Sequence, residues 1–159
     1  MTTETVQINP TIIKAFVFST KNVLATMVNT ECTIGKPYLK DKNSSNYDVS
    51  GIVGFTGDIV GSVVIRFTTD TALNLIESFT GERFTSDSDD FTDAIGELSN
   101  MIAGNAKSEF GLSAGISIPS VIVGANHNVA RMSDVPCVVI PCETPAGKLA
   151  VEVNIKCIG

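Results

Sequence analysis

A carboxylate and a carboxamide three residues apart are the side chains of this sequence best suited to chemistry. Glu97 and Asn100 fall in residues 89–111, where apolar residues recur at helical spacing. At about 100° per residue, Asp93, Glu97, Asn100 and Gly104 share the opposite, polar face of that helix. A carboxylate pairs with a cation, and a carboxamide can orient water because it both donates and accepts hydrogen bonds. This face could therefore receive a charged partner and hold a water molecule.

The spacing alone also fits a solvated helix face with no function. An exposed helical glycine costs about 1 kcal/mol relative to alanine, so Gly104 is either tolerated or allows close approach of a partner. Asp93 either steers a cationic group of that partner or only favours the N-terminal half of the helix. Asn105 lies off the exposed arc, and we expect it to be buried and hydrogen bonded to a neighbouring element.

The composition indicates one domain, which we place at residues 9–158. The chain has 159 residues, of which 43% are hydrophobic and 18% charged, so it can bury one good core. The net charge of −6, with no basic cluster, argues against binding to a nucleic-acid backbone. No stretch approaches the roughly 18 apolar residues of a membrane span. The N-terminal residues include Glu4 and no basic cluster, so no signal peptide is expected.

The four cysteines and the single histidine do not form a convincing metal site. Cys32, Cys137, Cys142 and Cys157 show no CxxC spacing, and one histidine does not complete a zinc set. We expect reduced, mostly buried thiols in a cytoplasmic protein and no bound metal. His127 lies in a polar run typical of a loop or strand end, and no Ser-His-Asp triad is apparent.

The order of elements predicts an α+β fold. Asn9 and Pro10 are typical of a helix start. Pro37 favours an edge strand, and Pro119 is expected to interrupt pairing within its strand. Periodicity predicts helices at about 10–29, 70–80 and 89–111, and strands at about 33–39, 49–56, 61–68, 116–123, 135–143 and 149–157. A long helix followed by three strands thus occurs twice, and its hairpins favour antiparallel pairing.

The two long helices differ in the residues at matching positions of this repeat. The spacing of Asp93, Glu97 and Asn100 on the second helix recurs on the first. The residues at those positions of the first helix are Ser19, Val23 and Thr26. The first helix then lacks both the carboxylate and the carboxamide. We therefore expect one working site in each chain, on the second long helix.

The second long helix resembles the signature helix of the CheC/CheX/FliY chemotaxis phosphatases. The matching residues are Asp93, Glu97, Asn100, Met101, Gly104 and Asn105. Because only one helix keeps the motif, the resemblance is closest to the CheX members. It implies a pseudo-symmetric αβββ repeat with a central six-stranded, largely antiparallel sheet and two long helices packed on it. The predicted elements cover nearly the whole chain in the order that this layout requires.

The resemblance also implies an activity and a partner. The family hydrolyses the aspartyl-phosphate of phosphorylated CheY-type receiver domains. At matching positions, Glu97 would pair with a receiver lysine, and Asn100 would hold the attacking water, with Asp93 and Gly104 at the partner-binding surface. The receiver would supply Mg²⁺, so this chain would bind no cofactor, and the protein would be a cytoplasmic homodimer formed by strand exchange. A non-catalytic receiver-binding module and a dimeric scaffold of the same fold remain alternatives.

Overall fold

The computed structural model describes residues 9–41, 47–111, 113–125, 127–132 and 134–158. Within these residues the chain forms three helices and eight strands. The helices are α1 (Pro10–Met27), α2 (Thr69–Thr80) and α3 (Asp89–Glu109). The strands are β1 (Thr33–Ile34), β2 (Tyr38–Leu39), β3 (Val49–Gly57), β4 (Ile59–Phe67), β5 (Ala114–Ile116), β6 (Ser120–Val123), β7 (Val138–Thr144) and β8 (Gly147–Cys157).

The helix ends follow local signals in the sequence. The Asn9 side chain accepts a hydrogen bond from the Thr11 backbone N–H at 2.9 Å, and Pro10 occupies the first position of α1. Gly81 ends α2 with a positive φ of 82°, a conformation that costs glycine little. Gly111, just beyond α3, also has a positive φ, 68°. The described helices include none that is both long and apolar enough to span a membrane.

All eight strands form one antiparallel sheet, which has six positions across its width. The order across the sheet is β1, β7, β8, β4, β3 and β5. Strand β2 shares the edge position of β1 on β7, and β6 shares the edge position of β5 on β3. The sequence predicted six strands, and the structure corrects that number because both edge strands are split. Pro37 lies at one break and Pro119 at the other, and proline cannot donate to a ladder of hydrogen bonds.

The sheet has the predicted pseudo-symmetry. Its two central strands are β4 and β8, and β4 pairs with β8 along its whole length, from Ile59 opposite Cys157 to Phe67 opposite Leu149. The edge strands of each half of the chain pair with a strand from the other half. Strands β1 and β2 pair with β7, and strands β5 and β6 pair with β3. The α+β class and the antiparallel αβββ repeat are therefore confirmed.

Helices α1 and α3 pack on the same face of the sheet, and aromatic side chains fill the space between them. The rings of Phe16, Phe55 and Phe110 contact one another with centroids 5.7–6.0 Å apart. Gly51 of β3 allows α3 to approach closely, since a Cβ there would lie 2.8 Å from the Cβ of Ser99. The middle of α3 is thus held firmly against the sheet, with its other face outward.

The burial pattern corrects the predicted match between α1 and α3. Val23 is 4% exposed and Ser19 is fully buried, so neither lies on an outer face. The seven buried residues of α1 each have a buried counterpart 79 positions later. The pairs are Ile12 and Phe91, Ala15 and Ala94, Phe16 and Ile95, Ser19 and Leu98, Thr20 and Ser99, Val23 and Ile102, and Leu24 and Ala103.

This correspondence identifies different residues of α1 as counterparts of the polar stripe on α3. With the same offset, Phe18 corresponds to Glu97, and Lys21 corresponds to Asn100. Phe18 and Lys21 are both exposed. The match of Val23 and Thr26 to the second helix was therefore wrong. The first helix nevertheless lacks an acid–amide pair on its outer face, as predicted.

Candidate functional site

The outer face of α3 carries the four residues singled out by the sequence. Asp93 and Glu97 are exposed, whereas Asn100 and Gly104 are partly exposed. Three residues along an α-helix correspond to a rise of about 4.5 Å and a rotation that keeps both side chains on one face. The carboxylate and the carboxamide therefore point outward as neighbours. We call the row formed by Asp93, Glu97, Asn100 and Gly104 the α3 stripe.

The polar side chains of the α3 stripe make no polar contact with the described part of the chain. Among the residues that the structure describes, none makes a hydrogen bond or ion pair with the side chains of Asp93, Glu97 or Asn100. By contrast, exposed Glu77 on α2 is paired with Arg83 at 3.0 Å. A carboxylate and an amide left unpaired on a rigid helix can both bind groups supplied by a partner.

The broken edge strand supports the stripe from one side. A Cβ added to Gly96 would lie 3.4 Å from side-chain atoms of both Pro119 and Val121, so α3 and β6 are in close contact. A Cβ added to Gly104 would meet only the Ile116 side chain, at 3.9 Å. Packing within the chain therefore does not require glycine at position 104, and alanine would fit there.

An open depression of about 430 Å³ lies beside Glu97, between α2 and the first turns of α3. Its walls include the rings of Phe79 and Phe84. The carboxylates that line it come from Glu82, Asp90, Asp93 and Glu97. This side of the stripe is therefore negatively charged, which favours a partner whose contacting groups are cationic.

Asn105 does not behave as predicted from the sequence. Its Oδ1 atom is buried, as expected, but it finds no hydrogen-bond partner among the described residues. The expected tie from Asn105 to a neighbouring element is therefore absent from that part of the chain. Asn105 also lies off the α3 stripe and adds nothing to it.

The thiols follow the expected pattern. All four cysteines are free; Cys32, Cys137 and Cys142 are buried, and Cys157 is exposed. In the described part of the chain, no three histidine, cysteine, aspartate or glutamate side chains lie close enough together to hold a metal ion.

The structure reveals a buried ionic cluster that the sequence analysis missed. It lies on the sheet face opposite the helices, where Arg66 and Glu152 are 0% and 6% exposed. Glu152 Oε2 lies 2.7 Å from Lys40 Nζ and 3.6 Å from Arg66 Nη1. Arg66 also donates from Nη2 to the His127 carbonyl oxygen at 2.6 Å and lies over the Tyr47 ring at 5.5 Å from its centroid. These contacts tie the connection between β6 and β7 to the sheet.

A serine and a histidine meet beside this cluster, but they do not form a catalytic pair. His127 lies in a loop, as predicted, with Nε2 2.7 Å from Ser50 Oγ and Nδ1 2.7 Å from the Gly124 carbonyl oxygen. Ser50 is fully buried, so a substrate carbonyl has no access to its hydroxyl. We interpret the contact as a structural hydrogen bond that holds the β6–β7 connection over the sheet.

Comparisons with known proteins agree with this architecture. A CheC-like superfamily protein from Shewanella sp. PV-4 is 35% identical, with a TM-score of 0.85 over 94% of this chain and 99% of the relative. A CheY-P phosphatase CheX from Thermotoga maritima is 28% identical over 122 residues, covering 74% of this chain and 79% of the relative. A structure described as the CheX–CheY–BeF₃–Mg²⁺ complex from Borrelia burgdorferi is 28% identical, with a TM-score of 0.77 over 94% of this chain and 99% of that one.

The family model described as chemotaxis phosphatase CheX matches residues 49–143, a span that includes the whole α3 stripe. This match covers more than half of the chain and agrees with the fold and its pseudo-symmetric sheet. The chain therefore belongs to the chemotaxis phosphatase CheX family.

Proposed function

We propose that this chain hydrolyses the aspartyl-phosphate of a phosphorylated CheY-type receiver domain, with Glu97 and Asn100 as the residues that act on the partner. The main support is a carboxylate and a carboxamide that pair with no described residue and lie one turn apart on the outer face of a firmly seated helix. Membership of the phosphatase family and the Borrelia relative described as a complex with CheY both support the choice of substrate.

Glu97 acts in docking. Its carboxylate is exposed and makes no ion pair with a described residue, so it is available to a lysine of the receiver. The neighbouring depression adds negative charge around the same point, and Asp93 belongs to both features. Asp93 therefore helps to attract the cationic group, and Glu97 makes the direct contact.

Asn100 positions the nucleophile. Its amide accepts a hydrogen bond from a water molecule and holds it in line with the bond between phosphorus and the aspartyl oxygen. The water oxygen attacks phosphorus, the bond to the aspartyl oxygen breaks, and the products are the receiver aspartate and inorganic phosphate. A neutral amide suits this position because it orients water without adding negative charge beside the phosphoryl group.

Mg²⁺ belongs to the receiver in this proposal. It would neutralise charge on the phosphoryl oxygens, and the Borrelia relative is described in complex with CheY and Mg²⁺ together. The phosphatase chain contributes the water-positioning amide and the docking carboxylate, neither of which requires a metal on this chain.

The proposal extends to the assembly and location of the protein. Residues 9–158 would form one CheX-like domain, and two copies would form a homodimer by strand exchange at the sheet edges. Exposed apolar side chains at both edges support this, including Leu39 at 60% and Ile118 at 88% exposure. A receiver is a cytoplasmic partner, so we propose a cytoplasmic location. Light scattering of the purified protein tests the homodimer, and a monomeric mass at micromolar concentration would contradict it.

The deciding experiment measures phosphate release from a CheY-type receiver phosphorylated with acetyl phosphate, with and without this chain and in the presence of Mg²⁺. We expect release to accelerate in proportion to the chain added, with turnover of more than one receiver per chain. Binding of the phosphorylated receiver without acceleration would instead identify a non-catalytic module.

Replacing Glu97 with glutamine should weaken docking more than chemistry. A desolvated charge-assisted contact contributes about 1–3 kcal/mol, so we expect KM to rise about 5- to 150-fold with a smaller change in kcat. The residual binding should also depend less on salt. Glu109→Gln is the matched control, because Glu109 is exposed on the same helix but lies outside the stripe. An unchanged KM for Glu97→Gln would remove the docking role.

Replacing Gly104 with alanine should stabilise the protein and impair docking. Alanine favours the helix by about 1 kcal/mol, and the nearest side chain leaves room for the added methyl group. If the receiver approaches the helix closely at this point, KM should rise although the melting temperature also rises. Ser108→Ala, one turn further along, is the control for helix propensity. Unchanged KM in Gly104→Ala would show that the glycine is only tolerated.

Each chain should bind one receiver. Phe18 and Lys21 occupy the positions of the acid–amide pair on α1, and neither can replace a carboxylate or a carboxamide. Calorimetric titration with a Mg²⁺- and BeF₃-loaded receiver should give one site per chain, and Phe18→Ala with Lys21→Ala should leave dephosphorylation unchanged. Two receivers per chain would mean that α1 is also a docking surface.

A further inference from the structure

Lys107 extends the outer face of α3 beyond the α3 stripe. It follows Asn100 by seven residues, which gives a rise of about 10.5 Å and a rotation about 20° short of two full turns. Lys107 therefore lies in line with Asn100 and with Gly104, which precedes it by three residues. Its side chain is partly exposed, as those of the stripe are. A partner that covers Asn100 and Gly104 would also meet Lys107.

The ammonium group of Lys107 is not used within the described part of the chain. No described residue forms an ion pair or hydrogen bond with its Nζ atom, whereas Lys148 and Lys156 are both paired with carboxylates. The residues three and four positions away on the helix are all uncharged: Ala103, Gly104, Phe110 and Gly111. The last turn of α3 favours a cation, but that interaction leaves the N–H donors of the ammonium available to a partner.

The stem of Lys107 can carry its ammonium back towards Asn100. Side chains on an α-helix lean towards its N-terminus and cover the preceding turn. An extended lysine stem spans about one helical turn of 5.4 Å. Gly104 is the only residue of the α3 stripe between Lys107 and Asn100, and it has no side chain to block this path. The ammonium can therefore come within about one helical turn of Asn100.

The charges on the outer face of α3 are ordered along the helix. Lys107 is the only basic residue between positions 89 and 111. Asp93 and Glu97 lie towards the opposite end, beside the depression lined by further carboxylates. The face thus has a negative end, a neutral middle at Asn100 and Gly104, and a positive end. A partner with a cation for the first end and an anion for the last fits this face in one orientation.

We propose that Lys107 is a further receiver-binding residue, whose ammonium pairs with an anionic oxygen of the docked receiver beside Asn100. This inference rests on the proposed function, which places the phosphoryl group of the receiver at Asn100. The anionic oxygen belongs either to that phosphoryl group or to a receiver carboxylate next to it. In both cases the ammonium donates a charge-assisted hydrogen bond, and the contact orients the receiver with its cationic group at Glu97.

The first test measures phosphate release from a phosphorylated CheY-type receiver, with Mg²⁺, by the Lys107→Gln and Lys107→Arg variants. Glutamine removes the charge, so we expect kcat/KM to fall about 10- to 100-fold, as for the loss of a hydrogen bond to a charged group. Arginine keeps the charge and should restore most of kcat/KM. Melting temperatures should stay close to that of the unaltered chain, which a role confined to the helix end would not combine with a loss of activity.

The matched control is Lys21→Gln, which removes the same charge from the exposed face of the neighbouring helix α1. This variant should leave kcat/KM unchanged, because Lys21 lies outside the α3 stripe and its extension. Unchanged kcat/KM in Lys107→Gln would overturn the proposal. An equal fall in Lys21→Gln would also overturn it, since the effect would then reflect net charge and not a contact at Lys107.

Calorimetric titration distinguishes the two sources of the anionic oxygen. The receiver is titrated with Mg²⁺ alone and with Mg²⁺ and BeF₃, which stands in for the phosphoryl group. A phosphoryl contact predicts that Lys107→Gln weakens binding only with BeF₃ present, and a carboxylate contact predicts the same loss in both titrations. Equal affinity of Lys107→Gln and the unaltered chain in both would overturn the proposal. If the unaltered chain binds the loaded receiver without releasing phosphate, the proposed activity fails, and this titration still decides the role of Lys107.

Discussion

Replacing Asn100 with alanine is expected to abolish dephosphorylation of the receiver, with kcat falling at least about 100-fold. The substitution removes the only part of the proposed site that orients the attacking water, and poor positioning alone can cost a factor of that size. Binding of the Mg²⁺- and BeF₃-loaded receiver should remain within a few-fold, because Glu97 still makes the docking contact. The measurements are phosphate release and calorimetric titration.

The fold should survive this substitution. Asn100 is partly exposed, and its side chain makes no hydrogen bond with a described residue, so alanine should change stability by only about 0.5 kcal/mol. The melting temperature should therefore move by no more than a few degrees. Asn22→Ala is the matched control, since Asn22 is a partly exposed asparagine on α1, away from the α3 stripe. Near-normal phosphate release by Asn100→Ala would refute the catalytic assignment.

The α3 stripe could be anticipated from sequence because it depends on local order alone. Apolar residues at spacings of three and four define which side of α3 is buried, and the polar residues between them must then face outward. Acidic residues near the start of the helix and Gly111 after its end indicate its limits. Nothing distant in the chain was needed to predict that Glu97 and Asn100 share a face.

The same reasoning failed on α1 because polarity there does not follow burial. Ser19 and Thr20 are fully buried although both carry hydroxyl groups, while Phe18 is 52% exposed. A pattern of polar and apolar residues therefore assigns the wrong outer face. The contact between α1 and α3 determines which residues are covered, and only the folded structure reveals that contact. Val23 consequently belongs to the core and does not match Glu97.

The ionic cluster could not be predicted for a different reason. Lys40 and Glu152 are 112 residues apart in the sequence, and only the order of strands brings them together. Arg66 and Glu152 lie in strands whose side chains face the two sides of the sheet in alternation. In such strands a charged residue normally indicates the solvated face. Here the β6–β7 connection covers that face, as the hydrogen bonds from Asn154 to Met132 and Val135 show.

A substitution in this cluster is expected to have a large effect on stability. Glu152→Gln should lower the free energy of unfolding by about 3–5 kcal/mol. Removing the carboxylate takes a counter-charge away from two buried cations, and the low dielectric makes this costly. Lys40 and Arg66 are 8% and 0% exposed at their side chains, so water screens them little. Glutamine keeps the volume and can still accept a hydrogen bond, so the loss reflects mainly the missing charge. Urea unfolding at neutral pH measures it.

The matched control is Glu143→Gln, which breaks an ion pair on the surface of the same sheet. Glu143 and Lys148 are 3.6 Å apart and more than 65% exposed, so solvent screening should limit its effect to less than about 1 kcal/mol. The two variants remove the same charge by the same substitution, but Glu152 is buried between two cations, whereas Glu143 is exposed beside one. A cost for Glu152→Gln no larger than that for Glu143→Gln would mean that solvent reaches the cluster. In that case the β6–β7 connection would open readily from the sheet, and the charges would not hold it in place.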